Sequence, residues 1–261
     1  MTDGTVVGRV ARLGRYPVKS LQGETLERAS FGSAGIPGDR SLGVVDDATG
    51  KVLSAKSVPA LLAATACTAD GLVEVSLPDG SSYPAPSTEL DAAASVWLDR
   101  PVRVEAPPAV DPRAFAMSFN FDDQTADVFD WPCPPGTFFD LADVHVLTTA
   151  SLRAASRRYP QGAWDVDRFR PTVLIDTEGE DFVDDGWVGG RLRFGTVEIA
   201  VDQPTIRCVM TTRAQGHLPR DLEIVKTINH EHGGNLGLYC TVSTAGEVTV
   251  GDDVVFLPAA T

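Results

Sequence analysis

Basic residues are scarce in this chain: 22 Lys and Arg stand against 36 Asp and Glu, a net charge of −14 over 261 residues. A surface this acidic repels phosphate backbones and anionic lipid headgroups, so neither nucleic acid nor a membrane surface is expected as the main partner. No apolar run reaches the about 18 residues that a membrane-spanning helix needs. The first ten residues carry no basic stretch followed by an apolar one, so a secretory leader is not expected. Cysteine is sparse too. Cys67, Cys133, Cys208 and Cys240 lack the spacing of a zinc or iron–sulfur ligand set and of a disulfide framework, which leaves a reduced, cytoplasmic protein as the expectation. No glycine-rich loop has dinucleotide or Walker spacing, and no G-x-S-x-G elbow occurs. Apolar residues still make up 43 % of the chain, enough to exclude disorder of the whole.

Glycine and proline are plentiful, 24 and 18 residues, and they punctuate short apolar runs along the whole chain. Short runs with frequent turn signals predict a β-rich α+β fold with a few short helices. Strands are expected at Val6–Leu13, Leu26–Phe31, Leu42–Asp46, Leu72–Leu77, Val144–Leu147, Val173–Ile175, Leu192–Phe194, Val197–Val201, Cys208–Thr211, Leu238–Val242, Glu247–Val250 and Val254–Leu257. Pro78-Asp79-Gly80-Ser81 reads as a hairpin turn. Helices are expected at Thr88–Leu98, Ala150–Arg158 and Asp221–Ile228. In the first, Trp97 and Leu98 belong to the apolar stripe and should be buried, and Thr88 with Asp91 would form a capping box. Residues 105–140 show little periodicity and read as a connection between two halves. The chain is accordingly divided at residues 1–110 and 111–261, as two packed domains.

His230-Glu231-His232 suggests a metal site only weakly, because alternate residues near a helix end point in different directions; a solvated loop is the preferred reading. Cys208 follows Arg207, and a neighbouring cation favours a thiolate, a soft ligand suited to a transition metal or to sulfur transfer. From local chemistry alone a small buried packing residue remains the favoured reading of Cys208. Lys19, Arg40 and Arg170 each sit at the mouth of an expected strand, where convergence would create a site for an anion.

In order along the chain come Tyr16-Pro17-Val18-Lys19-Ser20, Gly35-Ile36-Pro37-Gly38-Asp39-Arg40, Gly136-Thr137-Phe138-Phe139-Asp140, Val144 to Leu152, Phe169-Arg170-Pro171, Arg207-Cys208-Val209-Met210-Thr211-Thr212, Asn235 to Tyr239 and Val250-Gly251-Asp252. With these motifs the chain resembles the MOSC proteins, named after the C-terminal domain of molybdenum cofactor sulfurase. It is similar in particular to two-part members with an N-terminal MOSC-type β-barrel domain before the MOSC barrel, such as the amidoxime-reducing components. The R-C-x-x-T-T motif is the most specific element.

The resemblance implies a molybdenum cofactor, molybdenum bound to molybdopterin, held between the two domains. It implies that Cys208 is the metal ligand and the catalytic centre's protein anchor. Lys19, Ser20, Arg40, Thr148, Arg170, Arg207 and Tyr239 match cofactor-binding positions. The implied activity is reduction of small N-hydroxylated or N-oxide substrates by oxygen-atom transfer. Some relatives carry a C-terminal ferredoxin domain that is missing after the last expected strand, so a separate electron-transfer protein, of ferredoxin or cytochrome type with its reductase, is expected to supply electrons. Two other readings of the same resemblance stand beside it: a sulfur carrier using a persulfide on Cys208, and a cofactor carrier. Pyridoxal phosphate, attached to the fold in some descriptions, would need a Schiff-base lysine, and Lys19, Lys51, Lys56 and Lys226 lack a context for one.

Overall fold

The computed structural model describes residues 4–118 and 127–259. Its strands and helices follow in chain order as β1 (Thr5–Arg15), β2 (Glu24–Leu26), β3 (Arg28–Phe31), β4 (Gly43–Asp46), β5 (Thr65–Ala69), β6 (Leu72–Ser76), β7 (Ser82–Ala85), α1 (Thr88–Leu98), β8 (Val102–Glu105), β9 (Ala114–Met117) and β10 (Phe129–Pro132). The remainder are β11 (Val144–Thr148), α2 (Thr149–Arg158), β12 (Val173–Asp176), β13 (Arg191–Phe194), β14 (Val197–Ile206), α3 (Glu223–His232), β15 (Asn235–Thr244), β16 (Gly246–Thr249) and β17 (Asp253–Leu257). The protein is β-rich, as expected.

Seven strands close a barrel in the order β12-β11-β15-β14-β13-β17-β1, with β1 pairing back onto β12. The first strand of the chain therefore seals a barrel whose other strands all come after residue 140. Only β11 and β12 run parallel, and α2 is the crossover between them. Along β13 and β14 alternate residues turn inward, so Leu192, Phe194, Val197, Ile199 and Val201 fill the barrel while their neighbours face out. β11 is buried on both faces, as suits the strand under a crossover helix.

The N-terminal part gathers the β4–β8 ladder and the β5-β6-β7 sheet around a second core, which includes Val18, Leu21, Leu61, Leu62, Leu90 and Val104. Helix α1 has the expected bounds, but Trp97 and Leu98 are only half-buried against this core; Leu90 and Ala94 make the buried stripe. The cap differs as well. Ser87, not Thr88, accepts the Leu90 N–H at 3.1 Å, and the Asp91 carboxylate accepts the Val104 N–H at 2.7 Å, anchoring β8 instead of closing a box.

Three further expectations change. The run Leu26–Phe31 breaks at Glu27, because β2 pairs with β1 whereas β3 pairs with β16. Residues 105–140 contain the β9–β10 ladder, whose Phe115 helps form a third small core with Val45, Val52, Cys133 and Phe138. The segment Cys208–Thr211 is not a strand. Cys208 is extended, and Val209–Thr212 is a tight 3-10 turn. The hydroxyl of Thr211 donates to the Cys208 carbonyl at 3.0 Å and that of Thr212 to the Val209 carbonyl at 2.7 Å, so the two threonines bend the chain away from the ladder. Among the described residues no helix is long and apolar enough to cross a membrane.

Candidate functional site

The ends of β1 and β14, the loops before β4, β11 and β12, and the turn after Cys208 meet around one cavity of about 120 Å³, open to solvent. Lys19, Ser20, Arg40, Arg170, Arg207, Cys208 and Tyr239 all line it. Residues up to 220 positions apart in sequence are thus brought to one concavity.

Thr148 lies elsewhere. It is fully buried as the N-cap of α2, where its hydroxyl oxygen accepts the Ser151 N–H at 3.1 Å and its proton goes to Asp184 at 3.0 Å. Its local sequence, a threonine closing a strand and opening a helix, is the pattern of a cap.

Backbone strain is concentrated at the cavity. Ser20, Arg40 and Arg170 adopt left-handed conformations with φ of 70°, 47° and 53°; every other non-glycine residue with positive φ among the described residues is an aspartate. Aspartate tolerates this region, whereas arginine and serine pay about 1–3 kcal/mol there. Tertiary contacts hold them. The Ser20 hydroxyl accepts the Ala55 N–H at 3.0 Å, the Arg40 N–H donates to the Tyr16 carbonyl at 2.8 Å, and the Arg170 N–H donates to the Val166 carbonyl at 3.2 Å.

The cations fall into pairs and singles. Lys19 donates to the Phe138 carbonyl at 2.8 Å and to the Asp140 carboxylate, whose second oxygen takes Lys56 at 2.7 Å. Burial opposes ionisation of Asp140, but the two ammonium groups outweigh it and hold the carboxyl far below the usual range. Burial likewise pulls Lys56 down, and Asp140 more than restores it. Both amines are therefore engaged by Asp140. Arg40 pairs with the buried Asp39 carboxylate, which also accepts the Tyr16 N–H at 2.7 Å. Arg40 and Arg170 both lie against the Tyr16 ring, 4.6 and 4.1 Å from its centroid. Burial and the Arg40 charge lower Arg170 to about 10, still protonated at neutral pH, and its Nη1 has no partner. Arg207 donates to the Phe169 carbonyl at 3.0 Å and to His145 Nε2 at 3.2 Å, while its buried Nε is unpartnered.

Cys208 is half-buried and is the cysteine that lines the cavity; Cys67 is exposed, and Cys133 and Cys240 are buried in cores. The turn that carries it is fastened by Arg168, 1 % exposed, whose guanidinium donates to the carbonyls of Ala163, Thr211, Arg213 and Pro219 at 2.7, 3.3, 3.2 and 2.7 Å. Sequence reasoning did not assign Arg168, Asp140, Lys56, Tyr16 or His145 to the site. His145 alone carried a local signal, a polar residue inside the apolar strand Val144-His145-Val146-Leu147.

His230-Glu231-His232 forms the last turn of α3, not a loop, and ends at Gly233 with φ of 57°. His232 stacks on Phe182 and bonds Asp185 and the Asn235 carbonyl, both at 2.7 Å, whereas His230 is exposed beside Glu231. The two imidazoles do not share a metal position. Among the described residues no group of three His, Cys, Asp or Glu side chains is placed to hold a metal ion.

A family model for the MOSC N-terminal beta barrel domain matches residues 7–120, and one for the MOSC domain matches residues 136–255. The chain belongs to the MOSC proteins. Its similarity to the YuaD protein from Bacillus subtilis spans 97 % of both chains at 11 % identity with a TM-score of 0.51, a likeness of fold. The YiiM proteins from Geobacillus stearothermophilus and Escherichia coli align over 44 % and 46 % of this chain and 54 % and 56 % of theirs, at 18 % and 15 % identity and a TM-score of 0.35. A search of curated proteins finds no match. The MOSC family is associated with molybdenum-cofactor binding. The cavity of this MOSC protein has the donor set for such a group: an accessible thiol for a soft metal, and two buried guanidiniums with N–H groups left over for an anion.

Proposed function

We propose that this MOSC protein holds a molybdenum cofactor through Cys208 and reduces small N-hydroxylated or N-oxide compounds, drawing electrons from a separate electron-transfer protein. The observation that carries this reading is the meeting of one half-buried thiol with two buried guanidiniums that, among the described residues, form no ion pair with a carboxylate. When bound, the cofactor supplies two-electron oxygen-atom transfer; the net reaction takes up two electrons and two protons and yields the reduced nitrogen compound and water.

The chain supplies position and charge. Cys208 offers the soft anionic donor, and the Thr211 hydroxyl and the Arg168 clamp fix the turn that presents it. Arg170 and Arg207 offset negative charge on a pterin phosphate or dithiolene, and Lys19 with Lys56 positions the Asp140 wall of the cavity. At its mouth Leu141 and Ile206 expose aliphatic side chains, 47 % and 62 % accessible, which suits substrates with an apolar body.

The test is elemental and pterin analysis of protein purified from cells that make the cofactor, together with reduction of a benzamidoxime-type substrate by a chemical electron donor. About one molybdenum per chain and turnover are expected. A metal-free protein carrying a persulfide on Cys208 would replace this reading with sulfur delivery.

A further inference from the structure

The basic groups in and beside the cavity differ in whether a carboxylate pairs with them. Lys19 and Lys56 share Asp140, and Arg40 is paired with Asp39. Arg168 has its donors on backbone carbonyls. Arg170 and Arg207 are buried, and among the described residues no carboxylate forms an ion pair with either. A buried guanidinium without a counter-charge is costly and persists only where something else repays it.

Arg207 is nevertheless held in place. Its Nη1 lies 3.2 Å from His145 Nε2. A guanidinium has donors only, so Nε2 is the acceptor and the imidazole is neutral, with its proton on Nδ1. Burial and the Arg207 charge push the His145 pKa well below its ordinary value, in agreement with a neutral ring. The ring is closely packed: Gly237, at φ of 86°, approaches so near that a Cβ there would stand 2.7 Å from Nε2, and the backbone N–H of His145 donates to the Thr172 hydroxyl at 3.1 Å. A carboxylate in the place of His145 would grip Arg207 more strongly but would cancel its charge. An imidazole that accepts one hydrogen bond does not.

We propose that His145 is a positioning residue: it orients the Arg207 guanidinium through Nη1 while leaving its charge and its Nε–H available to an anionic group beside Cys208. The cofactor reading above supplies the identity of that anion; the positioning itself stands on the geometry.

The experiment compares His145→Gln, His145→Glu and His145→Leu with wild type. Molybdenum and pterin per chain are measured on protein from cofactor-producing cells. Binding of inorganic phosphate to metal-free protein is measured by calorimetry, and melting temperature is recorded for each. His145→Gln, whose amide oxygen accepts from Nη1, should remain within about twofold of wild type in anion binding and cofactor content. His145→Glu should melt no lower than wild type yet bind phosphate about tenfold more weakly, because its carboxylate occupies Arg207. A purely structural role for His145 would not separate stability from anion binding in this way. His145→Leu should lose both. Full cofactor content and phosphate affinity in His145→Glu, or a folded His145→Gln as defective as His145→Glu, overturns the proposal. If wild type lacks molybdenum and pterin but the phosphate series holds, the cofactor reading falls and the role of His145 stands. A wild type that binds neither cofactor nor phosphate overturns both.

Discussion

Among four cysteines, accessibility sorts the chemistry. Cys133 and Cys240 are packed in cores, where burial pushes their thiols up; Cys240 is well above the ordinary value. Cys208→Ser should therefore lose molybdenum and N–O reduction more completely than pterin, because a hydroxyl is a poor soft donor while the guanidinium contacts remain. Parallel metal, pterin and activity assays on all four Cys→Ser variants check this; equal loss in all four would indicate unfolding instead. Asp140 gives a second prediction. Its folded pKa lies below that of the unfolded chain, so its contribution to stability is complete above about pH 4 and fades as pH falls further. Asp140→Asn should melt below wild type at pH 7, and the gap should shrink progressively as pH falls below about 4, followed by thermal denaturation from pH 7 to about 2. A gap independent of pH would mean that the Lys19 and Lys56 pairs contribute nothing. Arg168→Met would strand four carbonyl acceptors behind the Cys208 turn. A loss of about 3 kcal/mol or more is expected in denaturant unfolding, accompanied by reduced cofactor content.

At the scale of elements, the motif R-C-x-x-T-T has a structural meaning that its spacing alone did not reveal. Its threonines wind a 3-10 turn that takes Cys208 out of β14 and into the cavity. The apolar Val209 and Met210 made the segment read as a strand, and the side-chain hydrogen bonds overrode that propensity. Thr148 is the reverse case: its position at the end of a strand matched a cofactor contact, but its hydroxyl is committed to capping α2 and to Asp184. Thr148→Ala should cost about 1–2 kcal/mol in thermal or denaturant unfolding, with molybdenum and pterin content per folded chain unchanged. Loss of cofactor without loss of stability would return Thr148 to the site.

For the whole molecule, β1 is decisive, because it supplies both neighbours that β12 and β17 need to close the barrel. A fragment beginning at residue 127 should expose two unpaired strand edges and fail to give the near-ultraviolet circular dichroism of the intact chain. Adding a synthetic peptide of residues 4–23 should restore part of that signal. A well-folded fragment would show that β1 is an accessory to the barrel.

Local pattern sufficed for the bounds of α1, for β13 and the first half of β14, and for the β-rich character of the chain, because these depend on side chains a few residues apart. The resemblance of ordered motifs picked out Lys19, Ser20, Arg40, Arg170, Arg207, Cys208 and Tyr239, which line one cavity. What the tertiary structure alone decided is which charges remain. Arg207 meets His145, 62 positions away, and Lys19 meets Asp140, 121 positions away, whereas Arg40 pairs with its own neighbour Asp39. The long-range partners are set by the closure of the barrel and the strained turns at Ser20, Arg40 and Arg170, which no local periodicity encodes.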